Sequence, residues 1–124
     1  MNYQNRENIK NNKRRIGQEY ENIAANFLIK NGLSILNRNF YTRAGEIDII
    51  AMDGDTFVFT EVKYRRSNSY GFPEESVNVK KQQRMRRGAR IYLYLNHINE
   101  NSANVRFDVV SVSDSHIKWL KAAF

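Results

Sequence analysis

Three residues of this chain have the types and spacing to do chemistry together: Asp48, Glu61 and Lys63. They flank Asp53-Gly54, one of the strongest short signals for a two-residue hairpin turn. With Asp53 and Gly54 as the turn residues, Met52 faces Asp55, Ile50 faces Phe57, Asp48 faces Phe59 and Glu46 faces Glu61. Strand side chains alternate between faces, so Asp48, Glu61 and Lys63 share one face. The two carboxylates become diagonal neighbours, roughly 7 Å apart.

Carboxylates crowded in this way repel one another. Set among Ile47, Ile49, Val58 and Val62, they are also costly to strip of water. A divalent cation answers both problems. The chain has no cysteine, and its two histidines, His97 and His116, lack metal-ligand spacing. The expected ligands are therefore oxygens and the expected cofactor Mg2+ or Mn2+. A lysine ammonium beside such a site can stabilise charge developing on a phosphate or orient the attacking water, which points to phosphodiester hydrolysis. Glu-x-Lys alone is commonplace on exposed strands. The specific signal is Gly45-Glu46-Ile47-Asp48 joined across a tight turn to Glu61-Val62-Lys63.

Positioning these residues requires a sheet and something to bury it. Residues 16–31 read as a helix with an apolar stripe of Ile16, Tyr20, Ile23, Ala24, Phe27 and Leu28, stopped at Asn31-Gly32. Glu19 lies at the border of that stripe, roughly 80° from its centre at 100° per residue, and Glu21 flanks the other side. Strands are expected over 33–40, 45–52 and 55–64, then a loop over 67–76 with Gly71 and Pro73. A second helix is expected over 78–96 with Met85, Ala89, Tyr92 and Leu93 inward, then strands over 104–112 and 116–120. The order α-β-β-β-α-β-β predicts an α/β fold: a mixed sheet of about five strands flanked by helices, in one domain over 16–124. Residues 1–15, polar and basic, read as a flexible arm.

Twenty Lys and Arg against thirteen Asp and Glu leave a net charge of +7, which favours an anionic partner, nucleic acid first. Lys80, Lys81, Arg84, Arg86, Arg87 and Arg90 are concentrated in the second helix. Those near its N-terminus suit phosphate, where the helix dipole and free amides add to the charge. Aromatic residues do not interleave with these charges, so base readout is not indicated. No apolar run is long enough to cross a bilayer and no signal-peptide core is present, so no membrane partner and a cytoplasmic location are expected.

Gly17-Gln18-Glu19, Gly45-Glu46-Ile47-Asp48, Phe59-Thr60-Glu61-Val62-Lys63, Lys81-Gln82 and Arg106-Phe107-Asp108-Val109-Val110 together resemble the YraN family of uncharacterised bacterial proteins. The resemblance covers residues 14 to about 112. It implies a restriction-endonuclease-like core of the PD-(D/E)xK superfamily, similar to Holliday-junction resolvases. By that resemblance Asp48 and Glu61 are metal ligands, Lys63 is the motif lysine, and Glu19 helps hold the metal or its waters. It also implies that the Val62 carbonyl completes the metal shell and that Lys81 and Gln82 lie near the DNA phosphate, to which Lys80 and Arg84 are added from the basic cluster. The implied activity is a Mg2+- or Mn2+-dependent DNA endonuclease acting on branched or junction DNA, with a homodimer by analogy to resolvases. The alternative is a non-catalytic nucleic-acid-binding module on the same fold.

Overall fold

A computed structural model describes residues 3–65, 77–114 and 116–124, with side chains from residue 12 onward. The expected loop at 67–76 falls almost wholly in 66–76, outside the described residues. The element order is α1 (Tyr3–Lys30), β1 (Ser34–Thr42), β2 (Gly45–Asp53), β3 (Thr56–Tyr64), α2 (Val79–Leu95), β4 (Asn104–Val112) and β5 (Ile117–Leu120). One sheet runs β1-β2-β3-β4-β5. Only β3 and β4 are parallel, joined by the crossover that contains α2. The fold is the expected α/β arrangement, consistent with a restriction-endonuclease-like core.

The helices cover opposite faces of the sheet. Ala24, Ala25 and Leu28 of α1 bury against Ile49, Ala51, Val58, Val110 and Val112. Met85, Ala89, Tyr92 and Leu93 of α2 bury against Ile47, Ile50, Phe59 and Phe107. The four α2 residues are those the helical spacing selects. Gly88 adds a close approach: a Cβ there would stand 3.0 Å from Ile47 Cδ1, so α2 presses directly on β2 next to Asp48.

Helix α1 differs from expectation in extent and in phase. It begins at Tyr3, through the stretch read as an arm, because residues 3–15 contain no Gly or Pro and many good helix formers. Ile16 and Ile23 are 48% and 42% exposed, and Ala25 is buried instead. Small alanines let the helix approach the sheet, and that outweighs the greater bulk of isoleucine farther round the helix. The rotation decides which acid faces inward. Relative to the centre of Ala24, Ala25 and Leu28, Glu21 lies roughly 15° away and Glu19 roughly 170° away.

The β2–β3 hairpin also differs. Its closing pair is Asp53–Thr56, with Gly54 and Asp55 in the turn. Gly54 takes φ +60° at the first central position, as a type II′ turn requires, whereas an Asp-Gly type I′ turn would need positive φ at Asp53. The register is therefore shifted by two, with Ile50 facing Phe59. An even shift keeps the side chains of Ile49–Asp53 and of β3 on their expected faces. Continued inward, it sets Asp48 level with Glu61 rather than diagonal to it.

On β4, level with Thr60, Asp108 is fully buried and fully satisfied. Arg106 donates to both its oxygens (2.9 and 3.0 Å), Trp119 Nε1 donates at 2.9 Å and the Ala122 N–H at 3.0 Å. This carboxylate ties β5 and the C-terminal residues to β4.

Candidate metal centre

The sheet alternation breaks at Asp48. Ile47 packs with the α2-side cluster and Ile49 with the α1-side cluster, although two residues apart they would ordinarily share a face. The β2–β3 ladder ends at Ile49–Thr60. Beyond it the strands part, and the Val62 N–H donates to Asp48 Oδ2 at 2.8 Å instead of to a strand carbonyl. The Asp48 carboxylate thus fills the gap between two diverging strands. Its pKa is pushed up to about 8, first by burial and then by the Glu61 charge, with the Val62 N–H opposing.

Glu61 stands on the neighbouring strand, only 6% exposed. Burial raises its pKa, while Lys81 and Lys63 lower it. Lys81 Nζ lies 3.3 Å from Oε2 and Lys63 Nζ 3.8 Å from Oε1. Neither ammonium makes a well-directed hydrogen bond to Oε2, which is one of two buried side-chain oxygens without one among the described residues; Thr60 Oγ1 is the other. Lys63 and Lys81, from β3 and α2, therefore converge on one carboxylate as loosely held counter-charges.

Two further acids join Asp48. Glu21 of α1 and Glu46 of β2 each bring a carboxylate oxygen within 4.8 Å of an Asp48 oxygen and of one another. Asn39 of β1 lies between them, its amide donating to Glu46 Oε1 at 2.7 Å and to Glu21 at 2.9 and 3.1 Å. Arg38 approaches Glu21 at 3.8 Å. Glu19, the acid implied by the family resemblance, is exposed and outside this group; the acid that α1 brings to Asp48 is Glu21. The sequence reading missed Glu46 and Asn39 as well. The signal for Glu46 is its place two residues before Asp48.

A pocket of about 560 Å3 opens over the acids, lined by Arg14, Gln18, Glu21, Asn39, Tyr41 and Glu46. Of the expected phosphate contacts, Lys80 and Arg84 are exposed, with the Arg84 side chain lying over Gly45. Lys81 turns inward to Glu61, and the Gln82 amide is used on the Val77 carbonyl at 3.0 Å. The helix start is fixed by Asn78, whose side chain accepts the Lys81 N–H at 2.8 Å.

The donor set fits a hard cation. It offers oxygens only: Glu21, Glu46 and Asp48 bring theirs within 4.8 Å of one another, and Glu61, on the strand beside Asp48, has one buried oxygen lacking a directed donor among the described residues.

The chain matches the uncharacterised protein family UPF0102 over residues 20–112. It belongs to that family, the YraN family of the resemblance. The UPF0102 protein of Acetivibrio thermocellus is 52% identical over 104 residues, 83% of this chain and 78% of its own length. That of Alkaliphilus oremlandii is 48% identical over 99 residues, 80% and 85% of the two chains. That of Colwellia psychrerythraea is 41% identical over 112 residues, 87% of each. The UPF0102 match spans α1 from Tyr20 through β4, and so includes every residue of the acidic group together with Lys63 and Lys81.

Proposed function

We propose that this chain is a divalent-metal-dependent DNA endonuclease, with Mg2+ or Mn2+ as cofactor and branched DNA as substrate. The observation that carries the reading is the half-buried Asp48 carboxylate, opposed by the charge of the buried Glu61, with Lys63 Nζ 3.8 Å from Glu61. Like charges this close are stable together only when protonated or when shared by a cation. When bound, the cation supplies Lewis-acid stabilisation of a phosphoryl oxygen and acidifies a water.

The chain's own residues do the rest. Asp48 and Glu61 hold the cation, with the Val62 carbonyl beside them on β3 and Glu21 and Glu46 on the open side. The Lys63 ammonium, released from Glu61, donates a hydrogen bond to the attacking water or to the oxygen on which charge develops. Lys81 neutralises the same region from the α2 side. The exposed Lys80 and Arg84 bind the DNA backbone without reading sequence. A two-fold branched substrate suits a homodimer of this chain.

The test is cleavage of junction, flap and single-stranded DNA by the purified chain with Mg2+ or Mn2+. Cleavage is expected to vanish in EDTA and in Asp48→Ala and Glu61→Ala. Cleavage that survives both substitutions, or no cleavage of any substrate, defeats the proposal. Salt-sensitive DNA binding without a metal site would instead identify a non-catalytic binding module.

A further inference from the structure

Asn39 ties together two acids carried by different elements. Its side-chain amide on β1 donates to Glu21 of α1 (2.9 and 3.1 Å) and to Glu46 of β2 (2.7 Å). Without it, two acids from different elements would face each other and Asp48 with no donor shared between them. The Arg38 guanidinium stands 3.8 Å from Glu21.

The backbone is shaped for this contact. Asn39 takes φ +52° within a strand, a left-handed conformation in which Asn is among the few residues enriched. In the β1–β2 register, Arg38 faces Ile49 and Phe40 faces Ile47, so Asn39 lies level with Asp48. The left-handed residue of β1 thus lies opposite the break in β2.

We infer that Asn39 is a positioning residue for the cation, acting through Glu21 and Glu46; this rests on the metal centre proposed above. The amide suits the task because it is neutral. A lysine or arginine at the same place would compete with the cation for the carboxylate charge. An amide holds the carboxylates in position and leaves that charge intact. Donors that orient metal ligands in this way commonly contribute about 10–100-fold in metal affinity.

The test is calorimetric titration of the whole chain with MnCl2, on wild type, Asn39→Gly, Glu21→Gln/Glu46→Gln, and the triple substitution. Glycine adopts positive φ freely, so Asn39→Gly removes the amide and spares the backbone. The expected result is a rise of about 10–100-fold in Kd for Asn39→Gly in the wild-type background and of less than about threefold in the Glu21→Gln/Glu46→Gln background. A merely structural role gives the same factor in both backgrounds and overturns the inference. So does Asn39→Gly binding Mn2+ within about threefold of wild type, which leaves the metal centre standing. Absence of saturable Mn2+ binding to the wild type removes the centre itself, and the role of Asn39 with it.

Discussion

Replacing Asp48 by Asn should stabilise the metal-free protein, increasingly so as pH rises. The unfolded carboxyl loses its proton near 3.8, whereas the folded one keeps it to about 8. Between those values the folded state binds more protons than the unfolded one, so stability falls as pH increases. The full rise corresponds to at most ~6 kcal/mol. Asp48 is half-buried rather than sealed, and water on the open side of the acids reduces the expected effect to ~2 kcal/mol. Asn keeps an oxygen to accept the Val62 N–H and removes the charge that burial and Glu61 oppose. The assay is urea unfolding in EDTA, followed by fluorescence of Trp119, the only tryptophan, which packs on the α1-side core. From about pH 4.5 to about pH 9 the advantage of Asp48→Asn over wild type should grow by ~2 kcal/mol. Adding Mn2+ at about 100 times its Kd should then reverse the order, stabilising the wild type by ~2.7 kcal/mol. A difference that does not change with pH, or a variant less stable throughout, would refute the account of Asp48 as a buried, charge-crowded ligand.

Three other outcomes follow from the same geometry. Glu21→Gln should weaken Mn2+ binding by about tenfold and Glu19→Gln should leave it unchanged, measured by calorimetry, because α1 turns only Glu21 toward Asp48. Asp108→Asn should destabilise the fold by ~3 kcal/mol in urea unfolding without altering Mn2+ affinity, since it disturbs a buried, four-donor carboxylate on the sheet face opposite Glu61. Lys80→Ala with Arg84→Ala should weaken binding to all DNA sequences alike and reduce the slope of log K against log salt by about 2, one for each phosphate that is no longer neutralised.

Much of this was legible in the sequence because hydrophobic period reports secondary structure directly. The strands, the second helix and its four inward residues could be read from the spacing of Ile, Val, Met and Tyr. The hairpin turn slipped by two residues because Asp53-Gly54 satisfies the usual type I′ preference, whereas Gly54-Asp55 satisfies type II′. Faces survived that slip because the strand period is two, so Glu61 and Lys63 could still be placed correctly. The phase of α1 was harder. Ile16 and Ile23 outweigh Ala25 on any hydrophobic count, yet close packing on the sheet favours alanine, and the resulting rotation exchanges Glu19 for Glu21. Asn39 was invisible to a pattern of charges. Its signal is weaker: Asn is depleted in strands, so the two in the middle of β1, Asn37 and Asn39, ask for an explanation.

The central claim is that Asp48 and Glu61 hold a divalent cation. Crystals soaked in MnCl2 and measured for anomalous scattering test it most directly. A peak is expected between Asp48 and Glu61, and it should disappear in Asp48→Asn. Saturating Mn2+ with no peak between those two carboxylates, or a peak only elsewhere on the chain, would contradict the claim.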